Sequence, residues 1–589
     1  MLSRVRLPAT AAALATAALL APATASAFDP AVEAQNFSKG NERSAIYNTP
    51  EYRALLIQVS AQNNAAVLAI QASDPERQFN GQLCATGTDG CAGDARLYDW
   101  QAKGYGIVQP VLFTARNGAT ISGKVWATRA GPAKRPGIVI TNGSVQAPEQ
   151  LYWFVAQVLA KSGYVVLTSD PQNQGQSDGR GEAPDQNEGF PAQSDGRPFF
   201  DGTVDALNFF LSTPQSPYVP VKSCETGTSH APKHNRRVNA GLNAAYNPFH
   251  SLLDPGRIGL AGHSYGASGI SYVGQADPRV DAIVALDNLA DADPNGSGVG
   301  SARPCPSDPA ARKPAEFTKP ALGISADYFI PPTPNTSDPD PLAKSVNSFA
   351  YSGKGVDTGE LIIRGGTHYD FDWIPHQGFP ATLRGADMID WYTTAWFDRY
   401  VKGGDATADR RLRTDRWRRD AQEGAVDPNK DANMFSFYYR SRLDIGRAGP
   451  TRFTCEDMRP GCAGLTADDG VQGDYDWFSI ARSPDRPGAG SSLGSQGLGV
   501  CTSRRRIVIH VKRRRGLRIR RVVAYVGKRK VGQSRSRRVS VRLIGLPRQI
   551  ARVQLRITAR QAGKTVRLTR HRTYRTCVPK RKTLMPSRP

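Results

Sequence analysis

The sequence predicts an α/β protein with a mostly parallel sheet flanked by helices, followed by a small C-terminal all-β domain. Between about residues 104 and 405, short apolar runs bounded by Gly or Pro alternate with helical patterns, which is typical of strands buried on both faces. After residue 501, apolar and basic residues alternate with a period of two, as in half-buried antiparallel strands. Residues 481–500 are rich in Gly and Ser, which predicts a linker.

The N-terminal end has the pattern of a secretory signal peptide, residues 1–27. Two arginines precede an Ala/Leu-rich stretch that ends in Ala25-Ser26-Ala27, a small-residue cleavage site. We therefore expect the mature chain to begin at Phe28 and to be secreted or associated with the cell envelope. A membrane anchor is the alternative, but two prolines interrupt the stretch, and no later segment is apolar enough for a transmembrane anchor.

The remaining elements follow in order. Residues 28–103 form an N-terminal extension with one helical pattern, around 50–72. The main domain, residues 104–480, begins with a strand pair joined at Asn117-Gly118, a dipeptide typical of hairpins. Further strands are predicted at 136–141, 164–170, 257–262, 280–287, 321–327 and 360–364, and helices at 149–163, at 203–213, from 265 and at 388–401. Residues 501–580 form the β-domain, and 581–589 a tail.

Eight cysteines are present, and an exported protein is expected to oxidise them. Short spacing predicts two small disulfide loops, and position predicts a third bridge around the last domain, which leaves one pair. The predicted bridges are Cys84–Cys91, Cys455–Cys462, Cys501–Cys577 and Cys224–Cys305. No cysteine lies in a C-x-x-C arrangement with histidines, so we expect no metal. The pair His230 and His234 is interpreted as part of a solvated loop.

Positive charge is concentrated at the C-terminal end. Residues 501–589 hold 30 of the 76 Lys/Arg residues and none of the 52 Asp/Glu residues. This favours an anionic cell-envelope polymer as a partner. A solvated strand face is the alternative. Nucleic acid is not expected as the main partner, because the chain is predicted to be exported and few aromatic residues interleave the basic ones.

The pentapeptide G-x-S-x-G occurs three times, at 175–179, 262–266 and 490–494. This pattern encodes a sharp strand-to-helix turn in which small flanking residues avoid clashes and the serine is exposed. Only the copy at 262–266 runs directly from a buried strand into a helix-compatible stretch. Ser264 is therefore the candidate nucleophile.

With this turn, residues 104–405 resemble the α/β-hydrolase superfamily, in particular secreted esterases and lipases of the dienelactone-hydrolase or polyester-hydrolase type. The resemblance implies a triad in the chain order serine, acid, histidine. Asp327 at the end of the seventh strand and His368 after the eighth match that order. The resemblance implies that His368 acts as the base and Asp327 orients it; Asp287, which ends the preceding strand, is the alternative acid.

The same resemblance implies an oxyanion hole made by the backbone N–H groups of Tyr265 and Ser144. The chain has Asn142-Gly143 where the family often has His-Gly, so Gln146 or the Ser144 hydroxyl are alternative donors. Two insertions, 214–255 and 288–319, are expected either to roof the site or to form surface loops.

The function implied is hydrolysis of a small-molecule or polymeric carboxylic ester, without cofactors, through an acyl-enzyme on Ser264. One alternative is a peptidase or amidase of the prolyl-oligopeptidase-like type. Another is an envelope-binding protein on an inactive hydrolase scaffold.

Overall fold

The computed structural model divides the chain into two compact units, residues 1–491 and 492–589. The described residues are parts of 57–78 and of 375–380, together with 106–144, 147–294, 313–329, 340–372, 383–404, 406–417, 435–436, 438–446, 451–468, 506–511, 517–534, 540–544 and 550–575. The predicted signal peptide, linker and C-terminal tail lie outside them. The described residues between 57 and 73 are helical.

A large mixed sheet organises the first unit. The strands are β1 (Gly106–Thr114), β2 (Thr120–Thr128), β3 (Arg135–Thr141), β4 (Val165–Ser169), β5 (Leu253–His263), β6 (Ala282–Leu286), β7 (Ala321–Tyr328), β8 (Thr358–Thr367), β9 (Pro375–His376), β10 (Phe379–Pro380), β11 (Thr414–Trp417), β12 (Arg442–Gly446), β13 (Arg452–Cys455) and β14 (Thr466–Asp468). Ten of them form the sheet in the order β1-β2-β4-β3-β5-β6-β7-β8-β12-β13. The six neighbouring strands β4-β3-β5-β6-β7-β8 are parallel to one another. This confirms the mostly parallel sheet.

Helices cover both faces of this sheet. The helices are α1 (Trp153–Lys161), α2 (Ala192–Asp195), α3 (Arg197–Phe210), α4 (Ala231–Asn239), α5 (Tyr265–Ala276), α6 (Val346–Gly353), α7 (Leu383–Tyr400) and α8 (Ala406–Leu412). Alternate residues of β6 enter two separate apolar clusters, one with α1 and α7 and the other with α3 and α5. This explains the unbroken apolar runs in the sequence, because each strand is buried on both faces.

The strand order creates a switch point between β3 and β5. The chain leaves β3 toward β4 on one side and leaves β5 toward β6 on the other. In open α/β sheets, the connections diverge at such a point and leave a crevice at the carboxyl ends of the strands. Residues 142–144 and Ser264 follow β3 and β5, so they lie at the edge of this crevice.

Strands β12 and β13 extend the sheet beyond β8 in antiparallel register, an extension that the sequence analysis does not predict. Cys455 at the end of β13 forms the predicted disulfide with Cys462. Cys224 is also disulfide-bonded, whereas its expected partner Cys305 lies outside the described residues, as do the other four cysteines. None of the helices in the described part of the chain combines the length and apolar composition needed to cross a bilayer.

The second unit is all-β. Its strands are β15 (Arg506–His510), β16 (Leu517–Val526), β17 (Arg529–Ser534), β18 (Ser540–Ile544), β19 (Ile550–Gln561) and β20 (Lys564–Arg575). They form an antiparallel pair, β15-β18, and a four-stranded antiparallel sheet in the order β17-β16-β19-β20. The predicted small β-domain is confirmed at this level, with β17 as an additional strand.

Candidate active site

Ser264 occupies a strained turn between β5 and α5. Its backbone has φ 55° and ψ −117°, a left-handed conformation that costs a non-glycine residue about 1–3 kcal/mol and is concentrated at functional sites. Its N–H donates to the Leu286 carbonyl of β6 at 2.9 Å. The turn thus places the serine side chain at the crevice, as its position between a buried strand and a helix predicts.

The flanking glycines are required by close backbone approach. A Cβ on Gly266 would lie 2.3 Å from the Thr141 carbonyl oxygen, and a Cβ on Gly262 would lie 2.5 Å from the Gly266 carbonyl oxygen. Both distances are far below van der Waals contact. The turn therefore packs directly against the end of β3, which is possible only with glycine at these two positions.

We predict that Gly266→Ala destabilises the fold by about 1–3 kcal/mol or more, because backbone has to move to admit the methyl group. Gly353→Ala is the matched control, since a Cβ there meets nothing within 4 Å, and we expect a change within about 0.5 kcal/mol. Urea denaturation of both variants measures this. Equal stability of the two variants would contradict the close packing.

Three side chains form a continuous hydrogen-bonded series. Ser264 Oγ lies 3.1 Å from His368 Nε2, and His368 Nδ1 lies 2.6 Å from Asp287 Oδ2. With a neutral imidazole, the serine hydroxyl donates to Nε2 and the Nδ1–H donates to the carboxylate. Acyl transfer requires a nucleophile, a base and a group that orients the base, and these three side chains are of the types that can supply them.

Asp287 is suited to remain ionised. Burial alone would raise its pKa, but the charge of Lys344 and the hydrogen bond from His368 outweigh burial and lower the pKa to about 2. The backbone N–H of Asp287 donates to the Ile324 carbonyl of β7 at 2.8 Å. The carboxylate is therefore fixed in position and negatively charged at neutral pH.

The expectation that Asp327 pairs with His368 is not met by the geometry. Asp327 still lies within β7, at an irregularity in its pairing with β8, and its Oδ2 accepts from the Gly365 N–H at 2.7 Å. Burial raises its pKa to about 6. The alternative acid, Asp287, takes the position beside His368 because it is the first residue beyond β6, next to the end of β5.

The loop that carries His368 is held by hydrogen bonds between its own side chains and its backbone. A short 3₁₀ helix, His368–Asp370, begins at a capping box in which Thr367 Oγ1 accepts from the Tyr369 N–H. The Asp370 carboxylate accepts from the Thr367 N–H at 2.6 Å. Phe329, half exposed, places its ring centroid 4.9 Å from that of His368 and so provides an apolar surface beside the base.

Beside Ser264, Tyr152 joins the loop after β3 to the turn between β5 and α5. Its hydroxyl accepts from the Gly143 N–H at 2.9 Å and contacts His263 Nδ1 at 2.8 Å. Burial holds the pKa of His263 well below its usual value, so the ring is neutral and its Nδ1 accepts from the tyrosine. The sequence did not predict this pair, because its members are 111 residues apart.

These contacts limit the possible oxyanion donors. Tyr265 is the first residue of α5, so its N–H points from the helix N-terminus without an intrahelical acceptor. The Gly143 N–H is already bonded to Tyr152. Ser144, the next residue of that loop, stays a prediction as the second donor. The alternative donor Gln146 lies outside the described residues.

A second buried carboxyl group, that of Glu360, lies near Asp287. Glu360 of β8 has no exposed surface, and burial raises its pKa to about 8, with the nearby charge of Asp287 contributing. Its carboxyl contacts the Ser325 hydroxyl, which lies 3.1 Å from Asn288 Oδ1. The Ser325 hydroxyl, which donates to Glu360, thereby links this carboxyl group to the residue that follows Asp287.

We predict that Glu360→Gln makes stability less sensitive to alkaline pH. Because the folded-state pKa is raised, the contribution of Glu360 is fully present below about pH 4.5 and is lost as the pH rises through about 8. The melting temperatures of the wild type and of Glu360→Gln should nearly coincide at pH 5. At pH 9 the variant should melt more than about 2 °C higher than the wild type. Glu316→Gln, at an exposed position, is the control. An equal difference in melting temperature between the Glu360 variant and the wild type at both pH values would contradict the prediction.

The other motifs have structural roles or fall outside the described residues. Ser177, in the first pentapeptide, donates to the Asp170 carbonyl and accepts from the Ser122 N–H; the third pentapeptide is not described. The interpretation of His230 and His234 as solvated is wrong, because both are buried, and His230 pairs with Asp185 at 2.9 Å. The described residues contain no group of three or more His, Cys, Asp or Glu placed to hold a metal.

The first insertion, 214–255, is anchored on the far edge of the sheet. Tyr218 donates to the Thr114 carbonyl of β1 at 2.9 Å, and Arg237 pairs with Asp74. These contacts favour the surface-loop alternative for this insertion over a roof. Much of the second insertion, residues 295–312, lies outside the described residues.

No protein-family model matches the chain, and no curated protein shows significant sequence similarity to it. The functional interpretation therefore depends on the geometry of the site.

Proposed function

We propose that this protein is a secreted serine hydrolase of the α/β-hydrolase type that cleaves carboxylic esters through an acyl-enzyme on Ser264. The observation that carries the proposal is the series Ser264–His368–Asp287 at the carboxyl edge of the sheet. The strained turn at Ser264 supports it, since such conformations are retained where function depends on them.

In the first half-reaction, Ser264 Oγ attacks the carbonyl carbon while its proton passes to His368 Nε2. Asp287 stabilises the imidazolium that results. The developing oxyanion accepts hydrogen bonds from the Tyr265 N–H and from an N–H of the loop after β3. The carbon–oxygen bond to the alcohol then breaks, and the leaving oxygen takes the proton from His368.

In the second half-reaction, His368 removes a proton from water, which attacks the acyl carbonyl. Collapse of the second tetrahedral intermediate returns the proton to Ser264 and releases the carboxylic acid. Each residue therefore ends the cycle in the state in which it began. Because His263 is neutral, it does not repel the neighbouring imidazolium, which favours proton uptake by His368.

The test is a panel of p-nitrophenyl esters of increasing acyl length beside a panel of peptide p-nitroanilides, assayed with the full-length mature protein. The proposal predicts ester turnover with an initial burst of p-nitrophenol, since acylation releases the phenol before water releases the acid. Turnover of anilides but not of esters would instead support the peptidase or amidase alternative. Absence of turnover on both panels in folded protein would support the inactive scaffold.

Within this panel, Phe329 should affect the choice of acyl chain. Phe329→Ala is expected to lower kcat/KM at least about tenfold for hexanoate esters and little for acetate, because a lost apolar contact is worth about 1–3 kcal/mol. Val219→Ala, which removes an exposed apolar side chain of the first insertion, is the control. A uniform fall across all chain lengths would exclude an acyl contact.

A further inference from the structure

The four-stranded sheet of the second unit has two unlike faces. The face toward the apolar cluster carries alternate residues of β16 and β19, all of them nearly or fully buried: Ile519, Val522, Ala524, Val553, Leu555, Ile557 and Ala559. The residues between them point the other way. On that second face Val523 is buried, whereas Arg518, Arg521, Arg556 and Arg560 are exposed.

That second face is basic. It carries the exposed arginines Arg518, Arg521, Arg556, Arg560 and Arg567, which we call the basic face. The strand register places Arg518 opposite Arg560, and Arg567 opposite Thr558, whose other neighbour is Arg521. Neighbouring strands lie about 4.8 Å apart and same-face residues of one strand about 6.7 Å apart, so the charges form a dense two-dimensional array.

This array is electrostatically unfavourable without an anion. Like charges directly opposite on a sheet are destabilising, and residues 492–589 contain no Asp or Glu to neutralise them. A small sheet does not need arginine at these positions to bury its apolar face, since any polar residue would serve. The exposed arginines that this face holds in neighbouring strands therefore favour a polyanionic partner.

The chemistry of the face narrows the class of anion. Thr558, Thr565, Thr569 and Gln554 share the face with the arginines. Guanidinium, hydroxyl and amide donors together are the set that contacts phosphate oxygens in a sequence-independent way. The Tyr525 ring is covered by the Arg556 guanidinium, 4.9 Å from its centroid, so it is not offered for base stacking.

We propose that the basic face binds a linear phosphodiester polymer without bases, of the poly(glycerol phosphate) type, and retains the protein at an anionic cell surface. This binding is independent of the chemistry at Ser264. Flexible chains of single phosphodiesters can place successive anions over successive rows of arginine. Release of their counterions makes the affinity strongly dependent on salt.

The test measures binding of fluorescent poly(glycerol phosphate) to the full mature chain by anisotropy over a series of salt concentrations. The variant replaces Arg556, Arg560 and Arg567 with Gln. The matched control replaces Lys528, Arg529 and Lys564, which lie at the hairpin turns, with Gln, so both lose three charges. Thermal melts verify that both variants fold.

We expect the face variant to bind more than about tenfold more weakly and its salt slope to fall by about 2, whereas the turn variant changes less than about twofold. Equal losses of affinity in the two variants would show that binding depends only on net charge, which would overturn the proposal. Tighter binding of the wild type to single-stranded DNA, to hyaluronate or to phosphatidylglycerol vesicles than to the polymer would also overturn it.

Discussion

Replacing Asp287 with asparagine is expected to lower kcat for ester hydrolysis by about 10⁴-fold while leaving the fold intact. The amide has nearly the same shape as the carboxylate, but it neither holds the Nδ1–H tautomer of His368 nor stabilises the imidazolium. Because both contributions act on the chemical step, their loss should lower kcat more than it changes KM. Steady-state kinetics on the preferred p-nitrophenyl ester measures it.

Asp327→Asn is the matched control, because it makes the same chemical change at the end of the neighbouring strand. Asp327 is bonded to the Gly365 N–H and not to His368, so we expect kcat to remain within about tenfold of the wild-type value. A folded Asp327→Asn protein that lost more activity than Asp287→Asn would assign the acid to Asp327, as the sequence-based expectation did.

Replacing Ser264 with alanine is expected to lower kcat by about 10⁶-fold, the loss found when the nucleophile of such a triad is removed. His368→Ala should have a comparable effect, and the double variant should lose no more, since the residues act as a unit. Ser177→Ala is the control, because Ser177 lies in the same pentapeptide pattern but contacts only backbone groups.

For Ser177→Ala, we expect kcat near the wild-type value and a loss of about 1 kcal/mol of stability, since the Ser122 N–H loses its acceptor. Substantial residual hydrolysis by Ser264→Ala would show that the measured activity has another source. Abolished hydrolysis in both variants would leave the choice between the two serines open and contradict the geometry described above.

The six parallel strands, the helices α1, α3, α5 and α7 and the position of Ser264 could be predicted from the sequence because they depend on local patterns. Continuous apolar runs such as the one in β6 require burial on both faces. Of the two G-x-S-x-G pentapeptides within the described residues, the one with Gly262 and Gly266 lies between such a run and a helix. His368 could be predicted for the same reason, since it directly follows β8.

The acid could not be chosen from the sequence, because Asp287 and Asp327 both stand at the end of an apolar strand. The choice depends on where each strand ends in three dimensions. Asp287 is the first residue outside β6, whereas Asp327 is retained in β7 by its pairing with β8. An irregularity in strand pairing has no signature in the residues themselves.

The supporting contacts were also beyond sequence patterns. Tyr152 lies between β3 and α1, whereas His263 is the last residue of β5, and Glu360 contacts Ser325 across neighbouring strands. Such pairs are decided by strand order, which local periodicity does not reveal. Strand alternation, by contrast, did indicate the basic side of the second unit, because it separates apolar from charged residues at every second position.

The most direct test of the site is covalent labelling with a fluorophosphonate, followed by intact mass measurement and peptide mapping. A serine activated by His368 should take up one adduct, at Ser264, with release of fluoride. Ser264→Ala should take up none, and Asp287→Asn should react much more slowly than Asp327→Asn. A folded wild-type protein that stays unlabelled, or that carries its adduct on another residue, would contradict the assignment of Ser264 as the nucleophile.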